Sequence, residues 1–197
     1  MPKDQKMIIK EDLISLENYR NVRKEKRMEQ IAMKKNRRLS IGPYATFYFE
    51  NFSTMLFQVQ EMLFIEKGGD AQLIDELEAY NPLIPQGNDI VATFMFEIFN
   101  RKRREDFLMQ LGSVEKTIYL NINGENILTR PETEVERTDE SGKASSIHFL
   151  HFDLSNKQKE EFKSNSTKPF FKIIHEKYQH QALIPPNVLV ELIKDLD

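Results

Sequence analysis

The stretch "LSIGPYATFYFENFSTMLFQVQEMLFIE", residues 39–66, decides how the chain is read. Its first part alternates. Leu39, Ile41, Ala45, Phe47 and Phe49 point one way, and Ser40, Tyr44, Thr46, Tyr48 and Glu50 the other. A period of two predicts a half-covered strand over 39–50, with Gly42-Pro43 as a bulge or an edge position. The period then changes. Residues 53–67 read as a helix that Gly68-Gly69 stops. Met55, Leu56, Val59, Met62 and Leu63 form one wide apolar face, and Phe57 and Phe64 a second. Thr54, Gln58 and Glu61 fall in a sector of about 60° between them, too narrow for the wet side of a surface helix. Such a helix needs cover on two sides. Glu66 projects into the apolar sector, where a carboxylate needs a partner or a proton unless the last turn frays into water.

Outward from this stretch, residues 16–36 read as a helix with Ser15 as N-cap, and Asp70 as the cap of a short helix that Asn81-Pro82 ends. "DIVATFMFEIF", residues 89–99, is apolar on both faces, which predicts a central strand. A short helix over 101–111 follows. "TIYLNINGENILT" predicts a hairpin about Asn123-Gly124, because Asn-Gly accepts the positive φ angles of a tight turn. Residues 146–154 read as a strand, Ser155 with Gln158 as a capping box, "PFFKIIHE" as a last strand, and "PPNVLVELIKDL" as a terminal amphipathic helix. The pattern predicts an α+β fold: a mostly antiparallel sheet of about five to seven strands, helices packed on it, and an N-terminal basic helix. One domain is expected over 1–197. It comprises a basic helical arm (1–38), core strands and helices (39–129), a hairpin arm or mobile loop turning at Ser141-Gly142 (130–146), and a C-terminal strand–helix–strand–helix unit (147–197).

Composition excludes several function classes. The 197 residues contain no cysteine, which removes disulfides, thiolate nucleophiles and cysteine-ligated zinc or iron–sulfur centres. No apolar run approaches the ~18–20 residues of a membrane span, and the N-terminal residues lack the pattern of a signal peptide. A cytoplasmic location without membrane contact is expected. Net charge is −3, yet residues 1–38 carry 12 Lys or Arg against 6 Asp or Glu, and the rest 16 against 25. A basic arm on an acidic body implies an anionic partner or an arm that packs on its own body or on a second subunit.

The candidate polar pocket comprises Glu50, Thr54, Gln58, Glu61, Glu66 and Glu97. Clustered carboxylates suit hard cations or acid–base chemistry, but the Glu-x-x-His spacing of di-iron bundles is missing, and no metal or other cofactor is expected. The candidate anion-binding or pairing residues are Arg20, Arg23, Arg27, Arg37 and Arg38, with Lys34 and Lys35. Arginine forks hold carboxylates and phosphates, so this stripe pairs with Glu50, Glu61 or Glu66, binds an anion, or faces solvent. Only Tyr19 interleaves it, so a nucleic-acid partner is not expected. His148 and His151 face opposite sides of one strand and share no metal, and His175 and His180 lack ligand spacing.

The runs "KKNRRLSIGPYATFYFENFSTMLFQVQEMLFIE", "ELEAYNPLIP" and "VATFMFEIF" resemble the bacterial family named Domain of Unknown Function 3501. The likeness falls on Arg37, Arg38, Gly42, Phe49, Glu50, Asn51, Thr54, Gln58, Glu61, Met62 and Glu66, and continues through Glu76, Tyr80, Asn81, Pro82, Leu83, Pro85 and Glu97. The family often has an arginine after Glu-Met-Leu, where this chain has Phe64, so no anion-binding role is carried to that position. The family carries no assigned activity. The resemblance implies an accessory role beside a rubrerythrin-type redox or peroxide-defence system, with this chain as a protein partner and not as cluster carrier. The expectation is an accessory or binding protein that forms a homodimer, given a helix that wants cover on two sides and the terminal amphipathic helix. The alternative is an enzyme using clustered glutamates for acid–base or metal-assisted chemistry.

Overall fold

A computed structural model describes residues 6–132, 138, 139, 141–164 and 168–196. The decisive stretch is a hairpin followed by a helix. Strands β1 (Arg38–Ile41) and β2 (Ala45–Phe49) pair antiparallel, with Ile41 opposite Ala45. Gly42-Pro43 is therefore the turn between two strands, not a bulge in one. Gly42 has φ +67°, and a Cβ there would lie 2.5 Å from the Tyr178 hydroxyl, so both conformation and space demand glycine.

Helix α1 (Leu16–Lys34) starts where Ser15 Oγ accepts from the Asn18 amide at 3.3 Å. Helix α2 (Phe52–Glu66) is capped by Asn51, whose side chain accepts from Thr54 N at 3.0 Å while Thr54 Oγ1 accepts from Asn51 N at 2.9 Å. It ends at Lys67, in the left-handed conformation. Helix α3 (Gly69–Tyr80) has Gly68 at the N-cap position. The expected cap, Asp70, lies in the first turn and instead pairs with Lys10 at 2.8 Å.

The strands form two antiparallel sheets where a single one was expected. The first has the order β1–β2–β3–β7–β6, with β3 (Asp89–Phe96) in the middle, then β7 (Ile147–Asp153) and β6 (Arg130–Pro131). The second has the order β5–β4–β8–β9: β4 (Ile118–Ile122), β5 (Glu125–Leu128), β8 (Phe170–His175) and β9 (Tyr178–Leu183). Asn123 and Gly124, at φ +50° and +89°, make the hairpin turn read from the sequence. Strand β9 adds a further strand to "PFFKIIHE". A turn at Asp139–Gly142, closed by Gly142 N to Asp139 O at 2.8 Å, includes the expected Ser141-Gly142 turn, while residues 133–137 and 140 lie outside the described residues.

The sheets pack face to face. Phe47 of the first sheet lies 4.7 Å from Phe171 of the second, centroid to centroid, and Phe152 lies 5.0 Å from the same ring. Burying each such phenyl stabilises by about 1.5–3 kcal/mol. Helix α4 (Arg101–Leu108), α5 (Asn156–Lys163) and α6 (Pro186–Asp195) border this core, to which Leu108, Phe162, Val188 and Leu192 contribute. The outer face of the first sheet presents Val91 and Phe149 to a second core, made with Met55, Val59 and Leu63 of α2 and Leu73 of α3. The order of layers is thus helices, sheet, sheet. Helix α2 is covered by α1, α3 and the sheet, so the cover it needed comes from within the chain. Among the described residues, no helix is long and apolar enough to cross a membrane.

Candidate functional site

Two rows of side chains meet where α2 and α3 pack together. Thr54 and Gln58 are four residues apart on α2, and Gln72, Glu76 and Tyr80 repeat that spacing on α3, so each row lies on one helix face. Glu50, just before the α2 cap, and Thr93 of β3 close the site from the sheet side.

Glu50 is only 5% exposed. Its Oε2 accepts from Thr54 Oγ1 at 2.6 Å and its Oε1 from Thr93 Oγ1 at 2.7 Å. The α2 N-terminus lends it partial positive charge. Glu76, also buried, accepts from Gln72 Nε2 at 3.0 Å, and the same amide donates to Glu66 at 3.1 Å. Gln58 Nε2 donates to the Tyr80 hydroxyl at 3.4 Å. Burial is the main cause that pushes the Tyr80 phenol up. The Gln58 hydrogen bond opposes it, and the charges of Glu76, Glu66 and Glu50 add to it. Among the described residues, none of these three glutamates enters an ion pair. The site is lined by carboxyl, amide and hydroxyl groups.

Glu61 belongs elsewhere. It faces α1, where Arg23 grips it through two hydrogen bonds of 2.8 and 2.9 Å and the Tyr19 hydroxyl donates at 2.7 Å. The Arg23 bond is the largest influence holding its carboxyl below the usual range; burial opposes it, while Tyr19 and the charges of Arg23 and Arg27 assist. The Arg23 guanidinium also lies 4.9 Å from the Phe64 ring centroid. The thin polar line of α2 thus divides: Thr54 and Gln58 join the glutamate site, and Glu61 ties down the arm. Glu66 is exposed at the last turn, and Glu97 is exposed just past the end of β3, accepting from Tyr48 at 2.8 Å.

Arg37 does not belong to a solvent-facing basic stripe. It is 1% exposed and donates to the carbonyls of Phe49 (3.0 Å), Glu50 (2.9 Å) and Glu191 (3.4 Å) while pairing with Asp195. Arg20, Arg27 and Arg38 remain exposed. His148 packs against Phe94 and Phe96 on the inner face, and His151 lies 3.2 Å from Asp89 on the outer one, so the two face apart as expected. Among the described residues, no group of three or more His, Asp or Glu is arranged to hold a metal.

Sequence reasoning missed Gln72, Glu76, Tyr80 and Thr93 as members of the site. The first three carried a legible signal, since a polar Gln–Glu–Tyr row at i, i+4, i+8 on a short helix beside α2 invites pairing with the Thr54–Gln58 row. Thr93 carried none, because β3 reads as apolar on both faces.

A crystal structure titled as a novel protein of unknown function from Burkholderia pseudomallei K96243 superposes with a TM-score of 0.89 at 34% identity, covering 97% of this chain and 100% of that one. No curated protein matches the chain. The family described as "Protein of unknown function (DUF3501)" matches residues 7–196, and the chain belongs to that family.

Proposed function

We propose that this protein is a binding or accessory protein that receives an ammonium or guanidinium group at the Glu50–Gln58–Glu76–Tyr80 site. One observation carries the reading: among the described residues, two buried carboxylates, Glu50 and Glu76, accept from hydroxyl and amide donors, enter no ion pair, and both act on the Tyr80 phenol. Buried charge is costly without a counter-charge, and an entering cation relieves that cost. Gln58 and Tyr80 add hydrogen-bonding groups that orient the incoming head. In the redox setting implied by the family resemblance, a cytoplasmic chain without cysteine acts as a partner for the system's electron carriers, and the cationic group is a lysine or arginine of that partner.

The reading is tested by thermal unfolding of the full chain with methylguanidinium, butylamine and, separately, Mn²⁺, Fe²⁺ and Zn²⁺. A native-state ligand raises apparent stability as its concentration passes Kd, by about 2.7 kcal/mol at a hundredfold excess. Stabilisation by an organic cation that disappears in Glu76→Gln supports the proposal. Stabilisation by the metals alone turns the reading toward metal-assisted catalysis, and no response to any cation removes it. Affinity capture from the native host with wild type and Glu76→Gln then identifies the partner.

A further inference from the structure

We propose that the outer face of the second sheet is the contact by which two copies of this chain form a two-fold dimer. The first sheet has its outer face covered, with Val91 and Phe149 packed against α2 and α3. Among the described residues the second sheet has no such cover: Leu128, Ile174 and Leu183 are 50%, 52% and 62% exposed. Register places them on one surface. Tyr119 stands opposite Leu128 and Lys172, Phe170 opposite Leu183, and Ile174 opposite Gln179. Leu120, opposite Ile127 and Phe171, points into the core instead. Monomeric soluble proteins rarely leave an apolar patch of more than a few hundred Å² in water. The face is on the far side of both sheets from the helices that hold the glutamate site, so the contact is independent of that site and leaves it open.

Charge argues for a second copy as the occupant. Residues 39–197 carry 16 Lys or Arg against 25 Asp or Glu, so most surfaces of two such bodies repel each other. This face does not. The one carboxylate in its four strands, Glu125, pairs across with Ile122 on the inward side, where Gln158 of α5 donates to it at 2.7 Å. Lys172 is the one charge these strands turn outward, and its ammonium lies over the Tyr119 ring at 5.6 Å, so its stem can pack while its head stays on the ring. The other polar groups on the face are neutral amides of Asn and Gln. At the rim, Glu176 and Lys177 of the β8–β9 turn pair with each other at 2.7 Å. Lys168, exposed ahead of β8, has the sign that an acidic body attracts. A charged partner finds no row of opposite charges here, and a nearly neutral apolar surface that meets itself about a two-fold axis needs none. Size agrees. Four strands about 4.8 Å apart and six residues of about 3.3 Å give a face of roughly 400 Å² in projection, which side-chain relief raises toward the ~800 Å² per partner of a standard interface. Neither helix from which a dimer was expected supplies this contact, since α2 is covered within the chain and α6 turns Val188 and Leu192 into the core.

The test is sedimentation velocity of the full chain from about 1 to about 100 μM, with hydroxyl-radical footprinting at both ends of that range. The expected result is a species of twice the 23.3 kDa chain mass. Oxidation of Leu128, Ile174 and Leu183 should fall as the dimer fills, while Met28 and Ile31, exposed on α1, keep their rates. Ile174→Glu and Leu183→Glu each set a carboxylate from both copies into the contact and should weaken dimerisation by at least about a hundredfold, with the far-UV circular dichroism unchanged. Should either variant fail to fold, the wild-type footprint still decides. A chain that stays monomeric at the highest concentration overturns the proposal, whatever else binds the face. So does a dimer of wild-type strength in both folded variants, or concentration-dependent protection confined to other surfaces.

Discussion

Glu61 and Glu50 stand at opposite sides of one helix and are treated in opposite ways. Glu61 is partly exposed, yet it receives an arginine fork and a tyrosine hydroxyl. Glu50 is buried, yet it receives two threonine hydroxyls and no cation. Proximity does not explain the difference. Arg37 donates to the backbone carbonyl of Glu50 itself and still directs its charge to Asp195. A carboxylate that is paired serves the fold, here by tying α1 to α2. A buried one whose charge is left open while a cation lies at hand is the better candidate for function.

The largest expected effect tests the role given to Arg37. Replacing it with Met leaves Asp195 as a buried carboxylate with no cation, and unfolding in urea should show a loss of about 3–5 kcal/mol. A loss below about 1 kcal/mol would break the contrast between a structural arginine and an open glutamate. Next comes the pH dependence of Asp195. Burial is the main force that pushes its carboxyl up to about 6, against the pull of Arg37. The folded state therefore keeps this proton to higher pH than the unfolded state does. The contribution is present in full below the ordinary value of 3.8 and is lost as pH rises through about 6. Its size is about 3 kcal/mol, and Asp195→Asn should flatten that part of the stability profile.

A smaller effect bears on Glu50 directly. Thr93→Val removes one of its two hydroxyl donors and should cost about 1–3 kcal/mol. That cost should vanish in a Glu50→Leu background, where no acceptor is left for Thr93, and a double-mutant cycle measures this. The smallest effect belongs to Glu61. Glu61→Gln should cost about 1 kcal/mol at neutral pH, discounted because the pair is partly wet. Its carboxyl is held low chiefly by Arg23, so the contribution stands above the ordinary value of 4.5 and fades as pH falls below it. Wild type and variant should therefore converge in acid, in a window where Asp195 is gaining stability. A difference that persists at pH 3 would show that Tyr19, and not the charge of Arg23, carries the contact.

Much of this fold was legible because local rules and tertiary packing agree. Ser15, Asn123-Gly124 and the Ser155–Gln158 box act in the structure as their chemistry predicts. The hairpin at Gly42 was not legible, for a geometric reason. Ile41 and Ala45 face each other across the turn and both point into the core, so the period of two runs through the reversal without a break. Strand β9 was hidden by its edge position, where only alternate residues face inward and Gln179, Gln181 and His180 interrupt the apolar pattern. The split into two sheets leaves no trace in any single strand. The site was half legible. Periodicity drew attention to Thr54 and Gln58, but it grouped Glu61 with them, because a sector of a helical wheel does not say which neighbour covers each edge. Arg37 was misplaced because its partner is far away in sequence.

That distance has a kinetic consequence. Arg37 and Asp195 are 158 residues apart. At the ordinary pace of roughly 5–20 residues per second, a growing chain waits on the order of ten seconds or more between making the guanidinium and making its carboxylate. During that interval Arg37, which bonds the Phe49 and Glu50 carbonyls at the end of β2, has no Asp195 to pair with, so this seal should be complete only after α6 has emerged. A nascent chain halted before α6 should stay open to proteases around β1 and β2, whereas the finished chain resists them.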